Sequence, residues 1–348
     1  MLATVTAMPS YQARRKIICI HFAVQCMSRL TWSTGICDNR LKILGLTMLR
    51  HLLTCWMIFC LTAPLTGMAR EFPLPLPGVD LVGELSSITS RYEDTLSDIA
   101  RANDLGFLEI SEANPGVDPW LPGEGIEIIL PTQFLLPPGP REGIVINLAE
   151  LRLYYYPKGE NRVITYPLGI GREGWETPVT QTRVTSKKPD PTWTPPESIR
   201  IEHREQGDIL PAVIPPGPDN PLGAYAIYLA LPGYLLHGTN KPFGVGMRVS
   251  HGCIRLYPED IEKLFPRVPV HTPVRIINEP YKFGWAAGRL YMEAHQPLSE
   301  QQLESGVDIT RLQSLINNAL GSRRPNIDWD ELVETALSHS GIPVPVTP

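Results

Sequence analysis

Two short segments hold the side chains whose types and spacing could do chemistry. They are Tyr234-Leu-Leu-His237-Gly238-Thr-Asn and, a dozen residues on, Ser250-His251-Gly252-Cys253-Ile-Arg255-Leu. A thiolate, not a thiol, attacks carbonyl carbon, and a free cysteine near neutral pH is only slightly ionised. A neighbouring imidazole corrects this by taking the proton and returning it to the leaving amine. Cys253 and one histidine are therefore the minimum machinery for opening an amide through a thioester. His251 lies two residues from Cys253, where the backbone rarely lets ring and sulfur meet well. His237, at the end of a separate strand, can approach across a sheet, which makes it the expected general base and acid. Of the six cysteines, Cys253 alone follows residue 60. A thiol kept single beside imidazoles reads as a nucleophile, with a buried inert thiol as the bland alternative.

The spacing resembles the L,D-transpeptidase catalytic domain, also called the YkuD domain, marked by a histidine followed at some distance by S/T-H-G-C. The similarity is greatest to the periplasmic ErfK/YbiS group and runs from about Gly83 to Ile277. It implies Cys253 as nucleophile and His237 as base, with the Gly238 carbonyl orienting the imidazole. It also implies an oxyanion held by backbone N–H groups around His251, Gly252 and Cys253, where the absent side chain of Gly252 lets a carbonyl come close. Ser250 is expected to fix the loop. Arg255 can pair with a substrate carboxylate or make a structural ion pair. No cofactor and no metal are implied. The implied partners are peptidoglycan stem peptides, with an outer-membrane lipoprotein lysine or a diaminopimelate amine as acyl acceptor. Carbapenem acylation of Cys253 is a further family-level expectation. Water as acceptor would instead give an L,D-carboxypeptidase, and a wall-binding scaffold is the non-enzymatic alternative.

Two other chemistries fit less well. His237, His251 and Cys253 form a three-ligand zinc set on paper, but their spacing matches no standard zinc pattern and no fourth ligand is near. A papain-like hydrolase places its cysteine first, at a helix start; here the order is reversed.

Residues 1–69 read as an over-extended start plus an export signal. Leu52 to Leu65 is a mostly apolar run after Arg50-His51 and before Gly67-Met-Ala69, with Met48 as a suitable start. The run is short for a bilayer span. Removing the segment's seven basic residues and one acidic residue leaves 24 Lys and Arg against 35 Asp and Glu. So acidic a chain has no electrostatic footprint for nucleic acid. It would work in the periplasm.

The elements that must position the motif follow. The expected fold is mainly β: a β-sandwich catalytic domain over 141–278, preceded by a small α+β module at 83–132 and followed by a helical extension over 279–348. The module resembles LysM, a peptidoglycan-binding unit, through Asp94-Thr-Leu-x-x-Ile-Ala and Ala113-Asn-Pro-Gly-Val-Asp-Pro-Trp-Leu-Pro-Gly123. Glu93 stands where that pattern has glycine, so glycan binding and a purely structural role both stay open. Leu96, Ile99 and Ala100 follow helical spacing, with Asp94 or Thr95 as cap. Strands are expected at 143–148, 151–156, 163–169, 224–231, 235–238 and 274–277, and a helix at 258–265 stopped by Pro266. Residues 186–222 show no regular element and read as an ordered lid.

Overall fold

The computed structural model describes residues 69–301 and 309–348. The segment read as an export signal falls outside them, Ala69 excepted. Nine strands hydrogen-bond side by side in the order Arg70–Pro73, Arg162–Pro167, Arg152–Tyr156, Gly143–Asn147, Pro273–Ile277, Thr180–Pro189, Tyr225–Leu229, Leu235–His237, Ile254–Arg255. Thr180–Pro189 joins the two halves. Thr180–Arg183 pair with Pro273–Ile276, and from Val184 on the strand pairs with Tyr225–Leu229, with a register shift between Val184 and Ser186. Such an irregularity lets one strand turn a corner. Both halves then close on a shared core, with Ile144, Ile146, Leu153 and Ile164 from one and Ile227, Leu236 and Ile254 from the other. The mainly β sandwich expected from the sequence is the architecture observed.

Period-two alternation explains why Arg152–Tyr156 is buried at all five positions. Leu153 and Tyr155 face the sandwich core, whereas Tyr154 and Tyr156, with Val145 and Val163, meet Leu96, Ile99, Leu105, Ile110 and Phe134 on the opposite face. That second layer is the small α+β unit. Strands Ser86–Thr89 and Glu127–Leu130 pair antiparallel around helices Leu96–Ala102 and Phe107–Ala113. Thr95 is the cap of the first helix, its hydroxyl accepting from the Asp98 N–H at 3.1 Å. The unit is bolted to the sheet by fully buried Arg152, which donates to Glu109 at 2.7 Å, to the Thr165 hydroxyl and to the Asp104 carbonyl. Pro137–Pro140 therefore leads from one packed layer to the next.

Three expectations need correction. The segment from residue 279 begins with an antiparallel hairpin, Tyr281–Ala286 and Arg289–Ala294, joined by Val344–Pro345. Only from Ile309 is it helical, with Ile309–Leu320 and Trp329–Ser338 covering the hairpin. The hairpin's apolar face, Tyr281, Phe283, Trp285, Leu290, Met292 and Ala294, meets those helices, while the cross-strand partners Lys282 and Glu293 are buried on its other face. Helix Pro258–Arg267 carries Pro266 inside its last turn rather than ending before it. A helix, Glu197–Glu205, also forms within the stretch read as irregular. Among the described residues no helix is long and apolar enough to cross a membrane.

Candidate active site

Leu235–His237 and Ile254–Arg255 run parallel, with Leu236 opposite Ile254 and His237 opposite Arg255. Leu236 and Ile254 point into the core. Alternation then turns Leu235, His237, Cys253 and Arg255 to the other side, where all four line a cavity of about 550 Å³. Cys253 and His237 occupy diagonal positions of this parallel pair and line the same cavity.

His237 is buried, and its Nδ1 lies 2.5 Å from the Gly238 carbonyl oxygen. A carbonyl only accepts, so Nδ1 carries the proton and Nε2 keeps a free lone pair. Burial, the nearby Arg255 cation next, pulls the imidazole down to about 3, against a partial rise from the Gly238 bond. The ring is therefore a neutral acceptor at rest. Cys253 Sγ donates to the Gly233 carbonyl at 3.4 Å and receives the Leu235 N–H. Burial pushes the thiol up, while the Leu235 N–H and Arg255 pull the other way. Among the described residues the thiol's hydrogen-bond partners are these backbone groups, not the imidazole. Arg255 reaches the same cavity, and its buried Nε has no hydrogen-bond partner among the described residues. No carboxylate of the described residues pairs with it.

The loop between the two segments is held by its carbonyls. Ser250 Oγ donates to the Cys253 carbonyl at 2.5 Å, and Thr177 Oγ1 to that of Gly252 at 2.7 Å. The N–H groups of His251, Gly252 and Cys253 have no backbone acceptor among the described residues, which leaves them available to a developing oxyanion. Gly252 has φ +99°, and a Cβ there would come within 3.0 Å of the Tyr234 ring, so only glycine suits the position.

The family model of the L,D-transpeptidase catalytic domain matches residues 141–276. The probable L,D-transpeptidase YcfS of Escherichia coli (strain K12) is 45% identical over 312 residues, covering 86% of this chain and 97% of the relative. The probable L,D-transpeptidase YbiS of the same strain is 46% identical over 292 residues, covering 82% and 94%. The probable L,D-transpeptidase ErfK/SrfK of Salmonella typhimurium (strain LT2) is 40% identical over 305 residues, covering 86% and 98%. The chain belongs to the L,D-transpeptidase family.

In this L,D-transpeptidase family member a lid roofs the cavity. Trp193 and Ile214 exchange backbone hydrogen bonds at 2.9 and 2.8 Å across its neck. Fully buried Asn220 ties the neck together, its Nδ2 donating to the Pro191, Ile214 and Pro215 carbonyls and its Oδ1 accepting from the Leu222 N–H. Residues that sequence reasoning passed over complete the site. Glu202 of the lid helix accepts from His251 Nε2 at 2.8 Å and from Arg172, and Trp175 packs edge-on against the His251 ring at 4.8 Å. Glu202 stands among Glu197, Glu205, Arg200, His203 and Arg204, so no pattern singles it out. Among the described residues the ligand atoms that cluster closely enough for one ion belong to Glu150, Glu293 and His295, not to His237, His251 and Cys253.

Proposed function

We propose that Cys253 attacks the carbonyl at the L-centre of the third residue of a peptidoglycan tetrapeptide stem, a diaminopimelate, and expels the terminal D-alanine. Sγ forms the thioester bond as its proton passes to His237 Nε2. The C–N bond then breaks, and the imidazolium returns that proton to the leaving amine. The amides of residues 251–253 hold the oxyanion. An acceptor amine attacks the thioester, passes its proton to His237 and leaves as a new amide, regenerating the thiol. The acceptor is a carboxy-terminal lysine of an outer-membrane lipoprotein or a diaminopimelate amine of a second stem, with lipoprotein anchoring favoured by the branch the sequence resembles.

The observation that carries this reading is the convergence, in one cavity, of Cys253, neutral His237 and an Arg255 whose Nε has no partner among the described residues. A thiol raised by burial and an imidazole lowered by burial make a neutral resting pair, so proton transfer waits for substrate. Arg255 disfavours the imidazolium while its charge is uncompensated. A donor carboxylate on the guanidinium removes that penalty and permits the transfer.

Export to the periplasm belongs to the same reading. So does a glycan-contacting role for the 83–132 unit, whose Tyr92, Trp120 and Leu121 are exposed. The test is intact-protein mass after meropenem: one adduct is expected on the wild type and none on Cys253→Ala. Tetrapeptide stem supplied with and without an amine should give amide product only with the amine. Unmodified wild-type protein, or hydrolysis indifferent to the amine, would refute transpeptidation.

A further inference from the structure

The lid helix Glu197–Glu205 buries only Ile199 and has no side-chain cap, so apolar packing holds it weakly. Its firmest link to the rest of the site is Glu202, whose carboxylate bridges Arg172 and His251 Nε2. Arg172 also reaches the strand before the thiol loop, its N–H donating to the Ser250 carbonyl at 3.0 Å. Both ends of this bridge thus belong to the frame of the Ser250–Cys253 loop.

The chemistry of the bridge fixes more than position. A carboxylate can only accept and a guanidinium can only donate, and both reach His251 Nε2, Glu202 at 2.8 Å and Arg172 Nη2 at 3.2 Å; the shorter contact, with the carboxylate, places the ring proton on Nε2. Trp175 blocks rotation of the ring from the side. A His251 ring locked in tautomer and tilt leaves its own backbone, and that of Gly252 and Cys253, with one arrangement. Those are the amides left without backbone acceptors.

We propose that Glu202 is a positioning residue: from the lid helix it locks His251 and, through it, the amide cradle beside Cys253, so that the cradle is set when the lid covers the donor. The inference rests on the acyl-transfer reading of this cavity. It makes the lid part of catalysis and not merely a cover, because lifting the helix withdraws the acceptor that sets the His251 tautomer.

The experiment uses the full chain with Glu202→Ala, Glu202→Gln and Arg172→Gln. It measures the His251 tautomer by ¹⁵N NMR, the rate of meropenem acylation, and kcat and KM on tetrapeptide stem. Glutamine keeps an oxygen facing Nε2, so Glu202→Gln should retain the Nε2–H tautomer and most of the rate. Glu202→Ala should lose the single tautomer and acylate on the order of 10- to 100-fold more slowly, through kcat more than KM, as when an oxyanion donor is misplaced. Arg172→Gln should fall between the two. A Glu202→Ala protein with the wild-type tautomer and wild-type acylation rate would overturn the proposal. So would equal losses in the alanine and glutamine variants. Failure of the wild type itself to acylate would instead refute the acyl-transfer reading, and the tautomer measurement would still decide whether Glu202 sets His251.

Discussion

Two histidines in this molecule are buried almost equally and are driven in opposite directions. His237 at the cavity is 3% exposed, has a carbonyl on one nitrogen and Arg255 nearby, and is pulled down. His295 behind the hairpin is also 3% exposed, but its Nε2 sits 2.7 Å from Glu293, which together with Glu150 raises it despite its burial and the Lys282 cation. Desolvation opposes charge at both places. What differs is the acid: present in the second cluster, absent from the first. The second cluster is a closed set of charges, with Lys282 Nζ 2.9 Å from Glu150 and 2.6 Å from Glu293. The cavity leaves one cation and one lone pair open. A buried imidazole with an acid is structure; one with only a carbonyl and an unpaired guanidinium waits for a ligand.

The sharpest way to break this contrast is to neutralise each side. His237→Gln should lower meropenem acylation by about 10²–10⁴-fold, the range of a lost general base, while leaving the unfolding midpoint nearly unchanged. Lys282→Met should do the reverse. It strands Glu150 and Glu293 against each other without water, a loss of about 3–5 kcal/mol in urea unfolding, with acylation per folded molecule unchanged. If the two variants moved the same observable, the division between working and structural histidines would fail.

Stability against pH offers a gentler test. The folded-state value of His237 is depressed to about 3, so its neutral form contributes stability above its unfolded value near 6.5. That contribution is lost as pH falls from there toward about 3. The folded-state value of His295 is raised, so its contribution is full below the unfolded value and is lost as pH rises through the folded one. His237→Gln should therefore flatten the acid limb of the stability curve, and His295→Gln the limb above pH 6.5. Interchanged limbs would contradict the assignment of partners.

Legibility in the sequence follows the same divide. That His237 and Cys253 would face one cavity was readable because a rare motif and strand alternation agree on it. A cap at Asp94 or Thr95 was readable because a local hydrogen bond needs only local residues, and Thr95 fills it. Thr180–Pro189 was not, since Val184 alone among its ten residues is buried and a mostly exposed strand shows no apolar period. In the hairpin at 281–294 the apolar alternation is present, but nothing local shows that Lys282 and Glu293 on its other face are buried, because residues far along the chain complete their cluster. Glu202 hid for the same reason: its partners, Arg172 and His251, are distant in sequence. Contacts assembled by folding leave no period to read.

The smallest expected effect concerns Arg255, and it probes what each buried histidine owes to its neighbouring cation. Burial is the larger cause of the depressed His237 value and Arg255 the next. Arg255→Gln should therefore raise the imidazole part of the way, leaving it still below 6.5. By proton transfer alone, that change would speed acylation slightly. The same substitution removes a cation that favours the ionised thiol, and it removes the expected anchor of a donor carboxylate. The net expectation is a KM for tetrapeptide raised about tenfold, the cost of one charge-assisted bond of about 1.5 kcal/mol, with kcat nearly constant. NMR titration of the His237 ring and steady-state kinetics separate the two effects. An unchanged KM with a raised imidazole would mean that Arg255 tunes the site electrostatically and leaves substrate recognition to other groups in the cavity.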